Sequence, residues 1–154
     1  VSGGDSYYLT ADQLRLIGEQ LISIPHIRRF RFATKGLAVA PNRILDGSDG
    51  WVDTLIDISN QAKKAGKNMA LHTHFNHPNE ISWITIRACQ KLLEAGVIVR
   101  NQTVLLKGVN DDVETMSKLI RMLADMNVFP VTFPLACIDS VGMLTNRIVL
   151  CLHV

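Results

Sequence analysis

Apolar residues recur along this chain in two rhythms that take turns. Leu14, Ile17, Leu21 and Ile22 keep a period near 3.6, and Thr10 with Gln13 makes a capping box, so a helix is predicted from 11. It ends near Ser23, because Pro25 disfavours helical geometry at Ile24. Over 28–34, Phe30 and Phe32 alternate with arginines, a strand pattern. Residues 37–49 hold Pro41, Gly47 and several polar side chains and read as a loop. Helical spacing returns over 51–65 at Val52, Leu55, Ile56, Ile58 and Ser59, with Lys63 and Lys64 in the last turn and Gly66 as the stop.

The same alternation continues downstream. Residues 68–74 form a short apolar strand, and Asn79 is the expected cap of a helix over 80–95 built on Ile81, Ile84, Ala88, Leu92 and Leu93. The run 97–106 is rich in Val, Ile and Leu but is interrupted by Arg100, Asn101, Gln102 and Thr103. A turn at 108–112 leads, through Asp111 or Asp112 as cap, to a helix over 113–126 along Met116, Leu119, Ile120 and Leu123. Residues 128–135 are a further strand candidate weakened by Pro130 and Pro134. Beyond 136 only 147–152 looks strand-like, so the chain divides into a unit over 1–135 and a divergent tail over 136–154. Strands joined by helical crossovers pair in parallel, which predicts an α/β fold: an open parallel sheet or a partial (β/α) barrel.

Composition narrows the class. A chain of 154 residues with 47% hydrophobic and 19% charged residues is about one globular domain. Its +2 net charge is scattered, which predicts no nucleic-acid partner. The sequence has neither an apolar run of the roughly 18 residues a membrane span needs nor a signal-peptide plan, so a soluble, cytoplasmic protein is expected. Cys89, Cys137 and Cys151 fit neither a disulfide framework nor a metal knuckle, and Cys89 reads as a buried thiol.

Candidate chemistry concentrates where the strand at 68–74 turns into the next helix, since His72, His74 and His77 are three of the five histidines. On a strand His72 and His74 share a face, at the end where α/β proteins bind ligands. His77, beside Pro78, reads as a local hydrogen-bonder. Gly3 and Gly4 allow close backbone approach to a ligand and Asp5 supplies an acceptor, although a loose chain end is the plainer reading. Arg43 reads as a solvated side chain or an anion contact, and a buried Gln102 must find partners for its amide. His72 and His74 together also suit a zinc hydrolase of the amidohydrolase type, whose further ligands would have to be Asp139 and His153.

Several runs resemble the lysine 2,3-aminomutase family of radical S-adenosylmethionine enzymes. They are Ser2-Gly3-Gly4-Asp5, Thr34-Lys35 with Pro41-Asn42-Arg43-Ile44, His72-Thr73-His74-Phe75-Asn76-His77-Pro78-Asn79-Glu80-Ile81, and Asn101-Gln102-Thr103-Val104-Leu105-Leu106-Lys107-Gly108-Val109-Asn110-Asp111. The resemblance covers 1 to about 130 and implies a slice of a partial (β/α) barrel. It also implies a 5′-deoxyadenosyl radical made from adenosylmethionine at a 4Fe-4S cluster, pyridoxal phosphate to hold an amino-acid substrate, and migration of an amino group between adjacent carbons. By that likeness Gly3, Gly4, Asp5, His74 and Gln102 bind adenosylmethionine, and a homo-oligomer is compatible with it. The sequence departs from the family in lacking CxxxCxxC, in Lys35 for the usual Arg and His72 for the usual Asn, and in having no counterpart of the pyridoxal phosphate lysine. The chain is therefore expected to be inactive alone, and a non-catalytic barrel fragment is the remaining alternative.

Overall fold

A computed structural model describes residues 4–132; Gly3, Cys137, Asp139, Cys151, His153 and the whole tail over 136–154 lie outside them. Four parallel strands stand side by side in chain order: β1 (Arg29–Ala33), β2 (Asn68–Thr73), β3 (Ile98–Gln102) and β4 (Phe129–Thr132). Helix α1 (Ala11–Ser23) precedes β1, and α2 (Gly36–Val39), α3 (Asn42–Asp46) and α4 (Trp51–Lys64) lie between β1 and β2. Helices α5 (Trp83–Glu94) and α6 (Val113–Asp125) make the next two crossovers. Parallel strands in sequential order, each reached through helix, form an arc of the (β/α) barrel type.

The strands bury alternate residues against the helices. Phe32, Met69, Leu71 and Val99 join Leu14 of α1, Leu55 and Ile58 of α4, Leu92 of α5 and Leu119 and Leu123 of α6 in one core. Each such side chain taken from water contributes about 1.5–3 kcal/mol. Gly18 lets α1 lie directly on α4, since a Cβ there would come within 2.7 Å of Ile58 Cδ1. Because strand side chains alternate, Arg31, Ala33, Ala70, His72, Ile98 and Arg100 stand on the other face.

Local chemistry explains most boundaries. Thr10 and Gln13 form both halves of the capping box of α1. Asp112 caps α6 through the N–H of Thr115 at 2.8 Å. The cap of α5 is Ser82 rather than Asn79, because Ser82 and Thr85 satisfy each other's backbone N–H, whereas Asn79 falls in a 3-10 turn over Pro78–Glu80. Residues 37–49 are not the expected loop: they fold into α2 and α3, the second stopped by Gly47 at φ 65°, with Leu37 and Ile44 buried. Strand β4 pairs only with β3 among the described strands, which is where Pro130 is tolerated. Cys89 is buried as expected, and burial pushes its thiol up to about 12. Among the described residues no helix is long and apolar enough to cross a membrane.

Candidate functional site

The turn after β2 is woven to the segment after β3 by side-chain amides. Asn101, the Cα partner of Thr73, is buried beneath it. Its Oδ1 accepts from the N–H of Phe75 at 2.7 Å, and its Nδ2 donates to the Phe75 carbonyl at 3.0 Å and to Thr103 Oγ1 at 2.7 Å. The Thr103 hydroxyl in turn donates to the same carbonyl at 3.0 Å. Asn76 accepts from the Val104 N–H at 2.9 Å, while Asn110 donates to the carbonyls of Asn76 and Val104 and accepts from the Leu106 N–H. Irregular backbone of this kind is tolerated in an interior only when its polar groups are paired.

A second set of contacts fastens the end of β1 to the same turn. Lys35 Nζ donates to the carbonyl of His74 at 2.9 Å and to Glu80 Oε1 at 2.8 Å, and Glu80 Oε2 accepts from the Asn76 N–H at 2.6 Å. Asp5 accepts from the N–H of Tyr7 at 2.8 Å and of Lys35 at 2.7 Å. Burial opposes the charge on Asp5, but the Thr34 hydroxyl, those two N–H groups and the nearby His74 outweigh it and hold the carboxyl below its ordinary value. Each Asp5 oxygen keeps a further lone pair. Gly4 beside it has φ 147°, and a Cβ there would meet nothing within 4 Å.

The three histidines have three different fates. His77 Nδ1 accepts from the Asn79 N–H at 3.1 Å, a local bond as expected. His74, half-buried just past β2, places Nδ1 3.2 Å from the Gln102 carbonyl. A carbonyl can only accept, so Nδ1 carries a proton, and in the neutral form of the ring Nε2 keeps the lone pair. His72 is 5% exposed and its Nδ1 has no partner. Burial first, then the charges of Arg31 and Arg100 and the nearby His74, bring its pKa down to about 4, so the ring is neutral at neutral pH.

Gln102 is half-buried rather than buried, and its contact with His74 is made by its main-chain carbonyl, not its amide; it is Asn101 next to it that organises the turn. Strand parity carried the signal: Asn101 lies two residues from Val99, on the helix-facing side. Arg43 is half-buried rather than solvated, and the anion it meets is the Asp49 carboxylate of this chain. It donates to the carbonyls of Tyr7 and Leu9 and to Asp49, and its guanidinium lies 5.0 Å from the Tyr7 ring centre and 5.3 Å from that of Trp51. Among the described residues no three His, Cys, Asp or Glu side chains could share a metal ion, so the zinc-hydrolase reading finds no further ligand there.

Asp5, His74 and Gln102 thus meet at the carboxyl ends of β1, β2 and β3, the rim at which a parallel (β/α) arc of this class holds its ligands. No family model matches the chain. The chain is homologous to the L-lysine and glutamate 2,3-aminomutases. It is 39% identical over 130 residues to the L-lysine 2,3-aminomutase of Clostridium subterminale, which takes in 84% of this chain and 29% of that protein. The L-lysine 2,3-aminomutase of Acetoanaerobium sticklandii is 36% identical over 143 residues, 93% of this chain and 32% of its own length. The glutamate 2,3-aminomutase of Clostridioides difficile is 39% identical over 130 residues, 84% of this chain and 28% of its own length. The chain spans about a third of the length of these relatives.

Proposed function

We propose that this arc is the adenosylmethionine-binding wall of a radical 2,3-aminomutase, an isomerase that moves an amino group between adjacent carbons of an amino acid. The observation that carries the reading is the bond between His74 Nδ1 and the Gln102 carbonyl, which in the neutral ring leaves the Nε2 lone pair for a ligand donor, with Asp5 close enough to feel the His74 ring. Adenosylmethionine, when bound in such an enzyme, is the source of the radical that abstracts hydrogen. Gly4 admits close approach of the ligand to the main chain, with Gly3 beside it in sequence. Asp5 offsets the charge of the methionine ammonium, His74 Nε2 accepts from a hydroxyl or amino group of the nucleoside, and Gln102 presents its amide alongside. The asparagine weave keeps these groups from drifting, because each is attached to main chain whose hydrogen bonds are already made.

The described residues do not fit the 4Fe-4S cluster. Cys89 is the cysteine among them, and it is a protonated thiol on the buried face of α5 rather than a thiolate at the rim. Nor is Lys35 set up to carry pyridoxal phosphate, as its ammonium is held by Glu80 and the His74 carbonyl. The test is calorimetric titration of adenosylmethionine into the 154-residue chain. Saturable binding that weakens by about tenfold in His74→Phe is expected, as for loss of one good hydrogen bond. No saturable heat, or equal binding by the variant, overturns the reading.

A further inference from the structure

Resting on the adenosylmethionine reading of the rim and deepening it, we propose that Lys35 is the positioning residue of that site, a spacer that sets the separation between Asp5 and His74. The ladder between β1 and β2 is interrupted where the rim begins. The N–H of Thr34 donates to the His72 carbonyl at 2.8 Å. Donors from one parallel strand to its neighbour recur at every second residue, so the next would be the N–H of Gly36 to the His74 carbonyl. Gly36 instead opens α2, and its N–H goes to Thr34 Oγ1 at 2.8 Å. The side chain of Lys35 supplies the missing donor, at 2.9 Å from the His74 carbonyl.

Lys35 serves both ligand groups at once. Its own N–H holds Asp5 Oδ2 at 2.7 Å, while its ammonium holds the main chain of His74. Glu80 fixes the arm: Oε1 accepts from the same ammonium at 2.8 Å and Oε2 from the Asn76 N–H at 2.6 Å, so both ends of the turn at 74–76 are tied to one ion pair. That pair is half-buried, with side chains 40% and 28% exposed, and pairs so placed contribute little to stability. Its value is geometric. A ligand that meets a carboxylate at one end and an imidazole at the other gains fully from both only when their separation is fixed in advance. Without the arm, Asp5 keeps its bond to the Lys35 N–H, but the His74 carbonyl loses its tie to β1, leaving the ring bond to Gln102 on the β3 side.

The experiment is calorimetric titration of adenosylmethionine into the full 154-residue chain and into Lys35→Met, His74→Phe and the double variant. Lys35→Met, with far-UV circular dichroism unchanged, is expected to bind about tenfold more weakly than the parent. In the His74→Phe background the same change is expected to cost less than about twofold, because a residue that acts through the His74 ring then has nothing to position. Lys35→Arg, which keeps a cationic donor arm, is expected to return binding to within about threefold of the parent. Additive losses in the double variant, Lys35→Met equal to the parent, or Lys35→Arg no better than Lys35→Met each overturn the spacer while leaving the adenosylmethionine reading standing. Should Lys35→Met lose the parental dichroism, Glu80→Gln, which keeps the lysine and loosens its arm, takes its place in the same cycle. A parent chain with no saturable heat overturns the adenosylmethionine reading and the spacer together, so the two failures are distinguishable.

Discussion

The amide of Asn101 holds Phe75 by both ends of its peptide unit, accepting from the N–H at 2.7 Å and donating to the carbonyl at 3.0 Å. Phe75 sits where β2 has ended and the chain must turn while still buried, so it has no strand partner for these groups. Replacing Asn101 by Leu keeps the volume but leaves the Phe75 N–H unpaired in the interior, while the Phe75 carbonyl keeps the Thr103 hydroxyl. An orphaned buried N–H costs about 1–3 kcal/mol, so Asn101→Leu is expected to lose about 2 kcal/mol by urea denaturation. Gln102→Leu, one residue on and half-buried, is expected to lose under about 1 kcal/mol, because its link to His74 uses the main chain. Equal losses would assign the turn to something other than this clamp.

Arg43 ties the segment before α1 to α3. Arg43→Met removes the donors to Tyr7 and Leu9 and the cation over two rings, and thermal unfolding is expected to report a loss of about 1–3 kcal/mol. Asp49 contributes little of that, being an exposed pair partner. Arg43→Lys is expected to rescue only a small part, since an ammonium cannot fork to two carbonyls while lying flat on aromatic faces. A variant as stable as the parent would return Arg43 to the surface role its sequence context suggests.

Gly36→Ala sets two known effects against each other. Alanine in a helix is favoured over glycine by about 1 kcal/mol. Here the new Cβ would stand 2.4 Å from Tyr7 Cδ1, and that ring is packed edge-on against Trp51 at 5.0 Å. Overpacking costs about 1–3 kcal/mol, so the clash wins and the variant is expected to be less stable. Displacement of the ring also alters the environment of Trp51, so its fluorescence maximum is expected to shift. A more stable variant with unshifted emission would show that the ring yields freely.

The long elements were legible because periodicity is strong over a dozen residues: α1, α4, α5 and α6 lie where their apolar faces predict, and β1, β2 and β3 fall between them. Helices of four and five residues are too short for a period to show, which is why α2 and α3 read as loop. Asn79 looked like a cap because asparagine is a good one, but Ser82 and Thr85 reciprocate and Asn79 cannot. At the rim, the closeness of His74 to Gln102 could be anticipated from adjacent strand ends. The role of Asn101 was one residue away and on the other face, a distinction that needs the strand register. Arg43 was illegible for another reason: its carbonyl partners are 34 and 36 residues distant in sequence and carry no side-chain signature.

His72 makes stability depend on pH in a window of its own. Its pKa falls from 6.5 to about 4 on folding, so the unfolded chain binds a proton there that the folded chain refuses. Above about 6.5 both states are neutral at this position and its contribution to stability is complete. As pH falls from there towards 4, stability is lost, with a limiting slope of about 1.4 kcal/mol per pH unit for one proton. Asp5, whose carboxyl is held below 3.8, adds a loss in the same direction but lower on the scale, as pH falls below the ordinary carboxylate range. Replacing His72 by Asn removes the first window and leaves the second. Urea titrations across this range are expected to show a steep parental curve and a flat variant between 6.5 and 4. Parallel curves would mean that the ring is protonated without cost between Arg31 and Arg100, and that the two guanidiniums point away from it.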